Sequence, residues 1–78
     1  MNAMDNYRLE YRRIAEYSWV AEVRDEHGIL KAVAEAQSPA AALKQLVAGE
    51  AYRARQGTGD AELLRWLRAA ARRKGVRA

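Results

Sequence analysis

The stretch YSWVAEVRDEHGILKAVAEA, Tyr17 to Ala36, constrains this chain more than any other. Its middle, Asp25-Glu26-His27-Gly28, has the composition of a tight turn, with Gly28 free to take positive φ. Folding the flanks back across that turn sets Arg24 opposite Ile29, Val23 opposite Leu30 and Glu22 opposite Lys31. One face then collects Tyr17, Trp19, Ala21, Val23, Leu30, Ala32, Ala34 and Ala36. The other collects Ser18, Val20, Glu22, Arg24, Ile29, Lys31, Val33 and Glu35. Alternation with period two on both flanks, in agreement with one register, predicts an antiparallel β-hairpin. A three-residue loop is disfavoured, because it would set apolar side chains opposite polar ones. Large residues on the first strand meet alanines on the second. Such a face needs a helix laid over it, since a lone hairpin is marginal in water.

Two helices follow. In QSPAAALKQLVAGEAYRARQG, Ser38 suits an N-cap and Pro39 the first helical position, where its missing N–H costs nothing. Ala40, Leu43, Val47, Ala51 and Ala54 line one face with Leu46 beside it, and Gly49 marks a place for a kink or early stop. Gly57-Thr58-Gly59 ends the element. The next helix is capped by Asp60 or Thr58 and carries Leu63, Leu64, Trp66, Leu67, Ala70 and Ala71 as a broad apolar stripe. Asp60 and Glu62 at its start and Arg72, Arg73 and Lys74 at its end complement the helix dipole. Gly75 is a natural stop. In this reading Trp19 and Val23 point inwards and Trp66 closes over them.

The opening segment fits two patterns. Met4, Tyr7, Tyr11 and Ile14 make one face of a short helix, whereas Tyr7, Leu9 and Tyr11 alternate with Arg8, Glu10 and Arg12 as a strand would. No Gly or Pro separates this run from Tyr17, which argues against a tight turn and favours the helix. The predicted fold is α+β: an antiparallel hairpin packed against two C-terminal helices, or a three-stranded sheet if the N-terminal segment joins as a strand. Residues 1–78 read as a single small domain, with 75–78 a short basic tail. With 78 residues, no cysteine and no phenylalanine, the core is small and has no disulfide to reinforce it. A reducing, cytoplasmic setting suits this composition. No apolar run is long enough to span a membrane, and the first residues lack the pattern of a secretory signal.

Catalysis requires a nucleophile, acid or base held by a partner, or a metal with several ligands. The lone His27 falls at the turn, beside Asp25 and Glu26, where surface charge is the simpler account. Ser38 is used as a cap, which leaves Ser18 without a base. Gln56–Asp60 has two glycines before a helix but lacks the Lys-Ser/Thr ending of a P-loop and follows no strand. It reads as an interhelical loop. The sequence therefore leads to the expectation of no enzyme, no metal, no cofactor and no small-molecule substrate.

What remains is binding. Residues 1–59 are charge-balanced, so the net +4 comes wholly from residues 60–78. Arg65, Arg68 and Arg72 follow three- and four-residue steps along one ridge, and Arg73, Lys74 and Arg77 extend the positive charge. Such a ridge suits phosphates without regard to base sequence, or an acidic protein surface. It is equally what a solubilising, dipole-matched helix end looks like. A membrane-surface helix fits less well, because the cations gather at one terminus. The second hairpin face offers a separate candidate surface: Val20, Glu22, Ile29, Lys31 and Val33, beside an exposed strand edge. Either the N-terminal segment or a partner could cover it. The expectation is a protein-binding domain, in the size range of small bacterial or phage inhibitors and adaptors, whose partner is another protein or a second copy of itself. Nucleic acid bound by the arginine-rich helix is the alternative.

Overall fold

The computed structural model describes residues 6–77; the expected role of Met4 lies outside them. Five elements follow in order: β1 (Tyr7–Ala15), β2 (Ser18–Asp25), β3 (Leu30–Ala36), α1 (Pro39–Arg55) and α2 (Ala61–Arg73). The strands form one antiparallel sheet in the order β1-β2-β3. Both helices lie on the same side of it. α1 packs over β3 and β2, and α2 lies against α1. The α+β fold with two C-terminal helices is therefore as expected, in its three-stranded form.

The N-terminal segment is the first correction: it is a strand and not a helix. Tyr7, Leu9 and Tyr11 are half-buried against the core while Arg8, Glu10 and Arg12 are exposed, so the two-residue period prevails over the four-residue one. Pairing with β2 supplies backbone partners along a strand that already pairs with β3 on its other side. The turn that lacked a Gly or Pro exists nonetheless, at Glu16–Tyr17. Among the described residues only glycines have positive φ, and a register irregularity between Arg13 and Ala15 accommodates the turn. The Arg13 guanidinium donates to the carbonyls of Ala15 and Glu16, both at 3.3 Å. Tyr17, expected in the core, sits in this turn with 73% of its surface exposed.

The second correction concerns register. At the β2–β3 tip, the Gly28 N–H donates to Asp25 O and the Asp25 N–H to Ile29 O, both at 3.0 Å, with Gly28 at φ 79°. This is the three-residue loop the sequence reading disfavoured. Its parity defect is repaired one step further on. Arg24 pairs with Leu30 but Val23 with Ala32, so Lys31 is an extra residue in β3. Beyond that bulge Ala21 faces Ala34, and the expected core faces are restored. Glu22 consequently lies opposite Val33 and not Lys31, and Leu30 leaves the core face and is exposed.

The core is made of Ala21, Val23 and Ala32 from the sheet, Ala42, Leu43, Leu46 and Val47 from α1, and Leu63, Leu64, Leu67 and Ala71 from α2. Trp66 is half-buried and meets Tyr7 of β1, ring centroids 5.5 Å apart. Tyr7 pairs with Asp25 at the far end of β2 from Trp19, which is itself half-buried.

Helix ends follow the capping chemistry of the sequence. Ser38 accepts from the Ala41 N–H at 3.1 Å, with Pro39 opening α1. Asp60, not Thr58, caps α2 and accepts from the N–H groups of Glu62 and Leu63. α1 runs unbroken past Gly49 to Arg55, with Ala40 and Ala54 exposed and Ala42 buried in their stead. Both helices end alike: Gly57 and Gly75 take φ near 79° and 71°. Thr58 N–H then reaches Arg53 O, and Val76 N–H reaches Ala71 O. Each is a Schellman closure. Gly59 has a different role: a β-carbon there would sit 2.5 Å from the Ala54 backbone nitrogen.

Candidate functional site

Three places in the fold gather the residues that the sequence marks for chemistry or recognition. The first is the hairpin tip. Asp25 is occupied by the backbone, its carboxylate accepting from the His27 N–H at 2.9 Å and the Ile29 N–H at 3.0 Å. The Ile29 bond holds this carboxyl below its ordinary range; burial opposes the shift, while the His27 bond and the nearby Lys31 ammonium reinforce it. His27 meets only Glu26, at 3.7 Å, and both are exposed. Among the described residues no three His, Cys, Asp or Glu side chains group as metal ligands.

The second place is the open side of the sheet. With both helices on one face, no other described element covers the opposite one. Its cross-strand rows are Arg8–Arg24–Leu30, Glu10–Glu22–Val33 and Arg12–Val20–Glu35. β1 therefore lies beside β2 and does not shield this face, contrary to one of the two expected ways of covering it. Of the expected interface residues, Val20, Glu22 and Val33 share the face, Lys31 occupies the bulge, and Ile29 ends the tip. Glu22 is held by Arg24 at 3.4 Å and Lys31 by Asp25 at 3.8 Å, in place of the expected Glu22–Lys31 pair. Ile29 and Val33 are each 56% exposed and Leu30 is 42% exposed. Leu30 is the interface candidate the sequence reading missed. The parity of a three-residue loop was the signal that could have moved it off the core face.

The third place is the end of α2. Arg65, Arg68, Arg72, Arg73, Lys74 and Arg77 are all exposed. None makes an ion pair with another described residue. Arg68, Arg72 and Arg77 border a shallow groove floored by Ala71 and Val76. Lys74 Nζ lies 5.6 Å from the Tyr11 ring centroid. Around Tyr7, at the other end of α2, Asp25, Glu26, Asp60 and Glu62 gather with Lys31, and together with burial, the larger cause, these acids raise its phenol.

Glu50 was not anticipated. It lies among Leu46, Val47 and Ala51 on the packed side of α1 and is 3% exposed. Arg53 donates to Oε1 at 2.7 Å and the Asp60 backbone N–H to Oε2 at 3.1 Å. Burial alone would raise its pKa, but the Arg53 and Asp60 hydrogen bonds outweigh it and the group is lowered. This carboxylate ties α1 to the start of α2 and has no polar opening to a ligand.

No family model matches the chain, and neither a curated protein nor a solved structure does. No helix among the described residues is long and apolar enough to cross a membrane. The fold is that of a small, compact α+β domain, a three-stranded antiparallel sheet packed against two C-terminal helices.

Proposed function

We propose that the chain is a non-enzymatic protein-binding module, an inhibitor or adaptor in kind, that engages its partner along β3 and the open side of the sheet. One observation carries this reading. Leu30 and Val33 on the edge strand β3, with Ile29 just before it, are exposed beside a sheet face that none of the described elements covers. Scattered surface aliphatics are ordinary, but a cluster on an edge is where strand addition occurs. A cytoplasmic setting suits the cysteine-free sequence. The test places a photo-crosslinking side chain at Val33, or at the equally exposed Tyr52 on α1, in cells that carry the protein. Protein adducts from Val33 and not from Tyr52 are expected. Absence of adducts at Val33 overturns the reading.

A second reading rests on the exposed cations at the end of α2: accessory binding of nucleic acid through phosphate contacts by Arg65, Arg68 and Arg72, extended by Arg73, Lys74 and Arg77. Titration with random duplex and single strands at two salt concentrations tests it. Affinity falling with salt and lost in the Arg65, Arg68 and Arg72 triple alanine variant supports it. Affinity unchanged by that variant eliminates it.

A further inference from the structure

We propose that the open side of the sheet stacks on the open side of a second copy of this chain, about a two-fold axis that crosses the strands over the Leu9–Val23–Ala32 row. The inference rests on the reading of that side as the binding surface and names its occupant.

Two neighbouring rows of the open side are poorly matched within one chain. Arg8 lies directly opposite Arg24, and Glu10 directly opposite Glu22. Like charges facing each other across an antiparallel pair are destabilising. Along β2 an acid does neighbour a base, but Glu22 and Arg24 meet only at 3.4 Å and stay partly open to water. On β3 the same two rows end in Leu30 and Val33, 42% and 56% exposed. Two arginines and a leucine thus lie beside two glutamates and a valine.

Such a patch complements a copy of itself. Aligned sheets stack with their strands parallel or antiparallel, and a closed pair of identical chains has a two-fold axis. An axis along β2 keeps each row over itself and would set Arg24 on Arg24 and Glu22 on Glu22 of the copy. An axis across the strands keeps each strand over itself and exchanges rows. Placed over Leu9–Val23–Ala32, it sets Arg8 on Glu10, Arg24 on Glu22 and Leu30 on Val33 of the copy, each pairing occurring twice. Placed over either charged row, it would set like on like. Placed over Tyr11–Ala21–Ala34, it would set Glu22 on Val20 and Val33 on Glu35. Among these, only the first gives every charge an opposite partner and every aliphatic residue an aliphatic one.

Nothing in the described fold obstructs the approach, since α1 and α2 lie on the other face. Lys31 takes no part: it is the bulge residue, beside Tyr7, Asp25, Asp60 and Glu62. Opposed charges fix register more than they add affinity. Two overlapping rows also make a small interface, so association should depend on concentration.

Sedimentation velocity of the full chain over a concentration series is the experiment. Wild type should pass from one chain mass to two. Arg8→Glu sets carboxylate on carboxylate twice between copies and should weaken self-association about tenfold or more. It does so although it lowers the net positive charge that keeps copies apart. Within one chain the same change faces Arg24 with an acid, so circular dichroism and thermal melting should show an undamaged fold. Glu10→Arg should act similarly, and the double exchange, Arg8→Glu with Glu10→Arg, should restore association. A chain that stays single at all concentrations, a dimer indifferent to Arg8→Glu, or a double exchange as weak as the singles overturns the proposal. The Val33 crosslink separates the two levels: adducts only with a different protein overturn self-stacking but leave the binding surface standing, whereas no adduct at all removes both.

Discussion

The two sides of the sheet are built on different terms. On the covered side, Ala21, Val23 and Ala32 meet the leucines of α1 and α2, and Glu50, the one buried charged residue among those described, is fully hydrogen-bonded. On the open side, charged rows carry exposed aliphatics, and the Glu22–Arg24 ion pair is loose at 3.4 Å. Burial of apolar area stabilises the first side, whereas the second contributes little to folding. Stability and recognition should therefore respond to different substitutions.

The largest effect should come from the covered side. Leu67 is fully buried, and Leu67→Ala should cost about 3 kcal/mol in denaturant unfolding, whereas Val33→Ala should change stability by no more than about 0.5 kcal/mol. Comparable losses at the two positions would erase the contrast. Gly59→Ala comes next, because the new methyl group would collide with the backbone of Ala54; a loss of about 2 kcal/mol is expected from overpacking. Glu50→Gln should cost about 1–2 kcal/mol at neutral pH through the weakened bonds to Arg53 and Asp60.

The pH dependence of Glu50 has a definite sign. Its folded pKa lies below the ordinary 4.5, so its contribution is complete above that value and is lost as pH falls through the folded one. Thermal melts from pH 7 downward should show wild type losing stability in that window and Glu50→Gln losing less. Smallest among these, Gly49→Ala should stabilise by about 1 kcal/mol, since a β-carbon there meets only the flexible Arg53 guanidinium, at 3.9 Å. Destabilisation would show that the helix needs glycine at this position after all.

The covered side was the more legible in the sequence. Ser38-Pro39, Asp60, Gly57 and Gly75 act locally, so their roles could be read from neighbours alone. Leu63, Leu64, Leu67, Ala70 and Ala71 kept their stripe. The opening segment was not legible, because Tyr7 and Tyr11 satisfy both a four-residue and a two-residue period. The free edge of β2 decides between them, and that edge is a tertiary fact. Leu30 was misplaced for a different reason. The three-residue loop and the bulge at Lys31 each shift the strand by one residue, and alternation downstream looks the same when both or neither is present. Arg53 lies one turn from Glu50, but burial of the pair could not be anticipated, since the second partner is a backbone N–H ten residues away, presented only once the interhelical loop has closed.

That loop bears on how costly recognition is. Gly59 rests on the backbone of α1, and Glu50 grips the first residue of the following turn, so the corner between the helices behaves as a welded joint rather than a swivel. A ligand of the cationic arm would find its bearing already set. The entropy lost on capture would then fall on the arginine side chains and on the visitor, not on the scaffold.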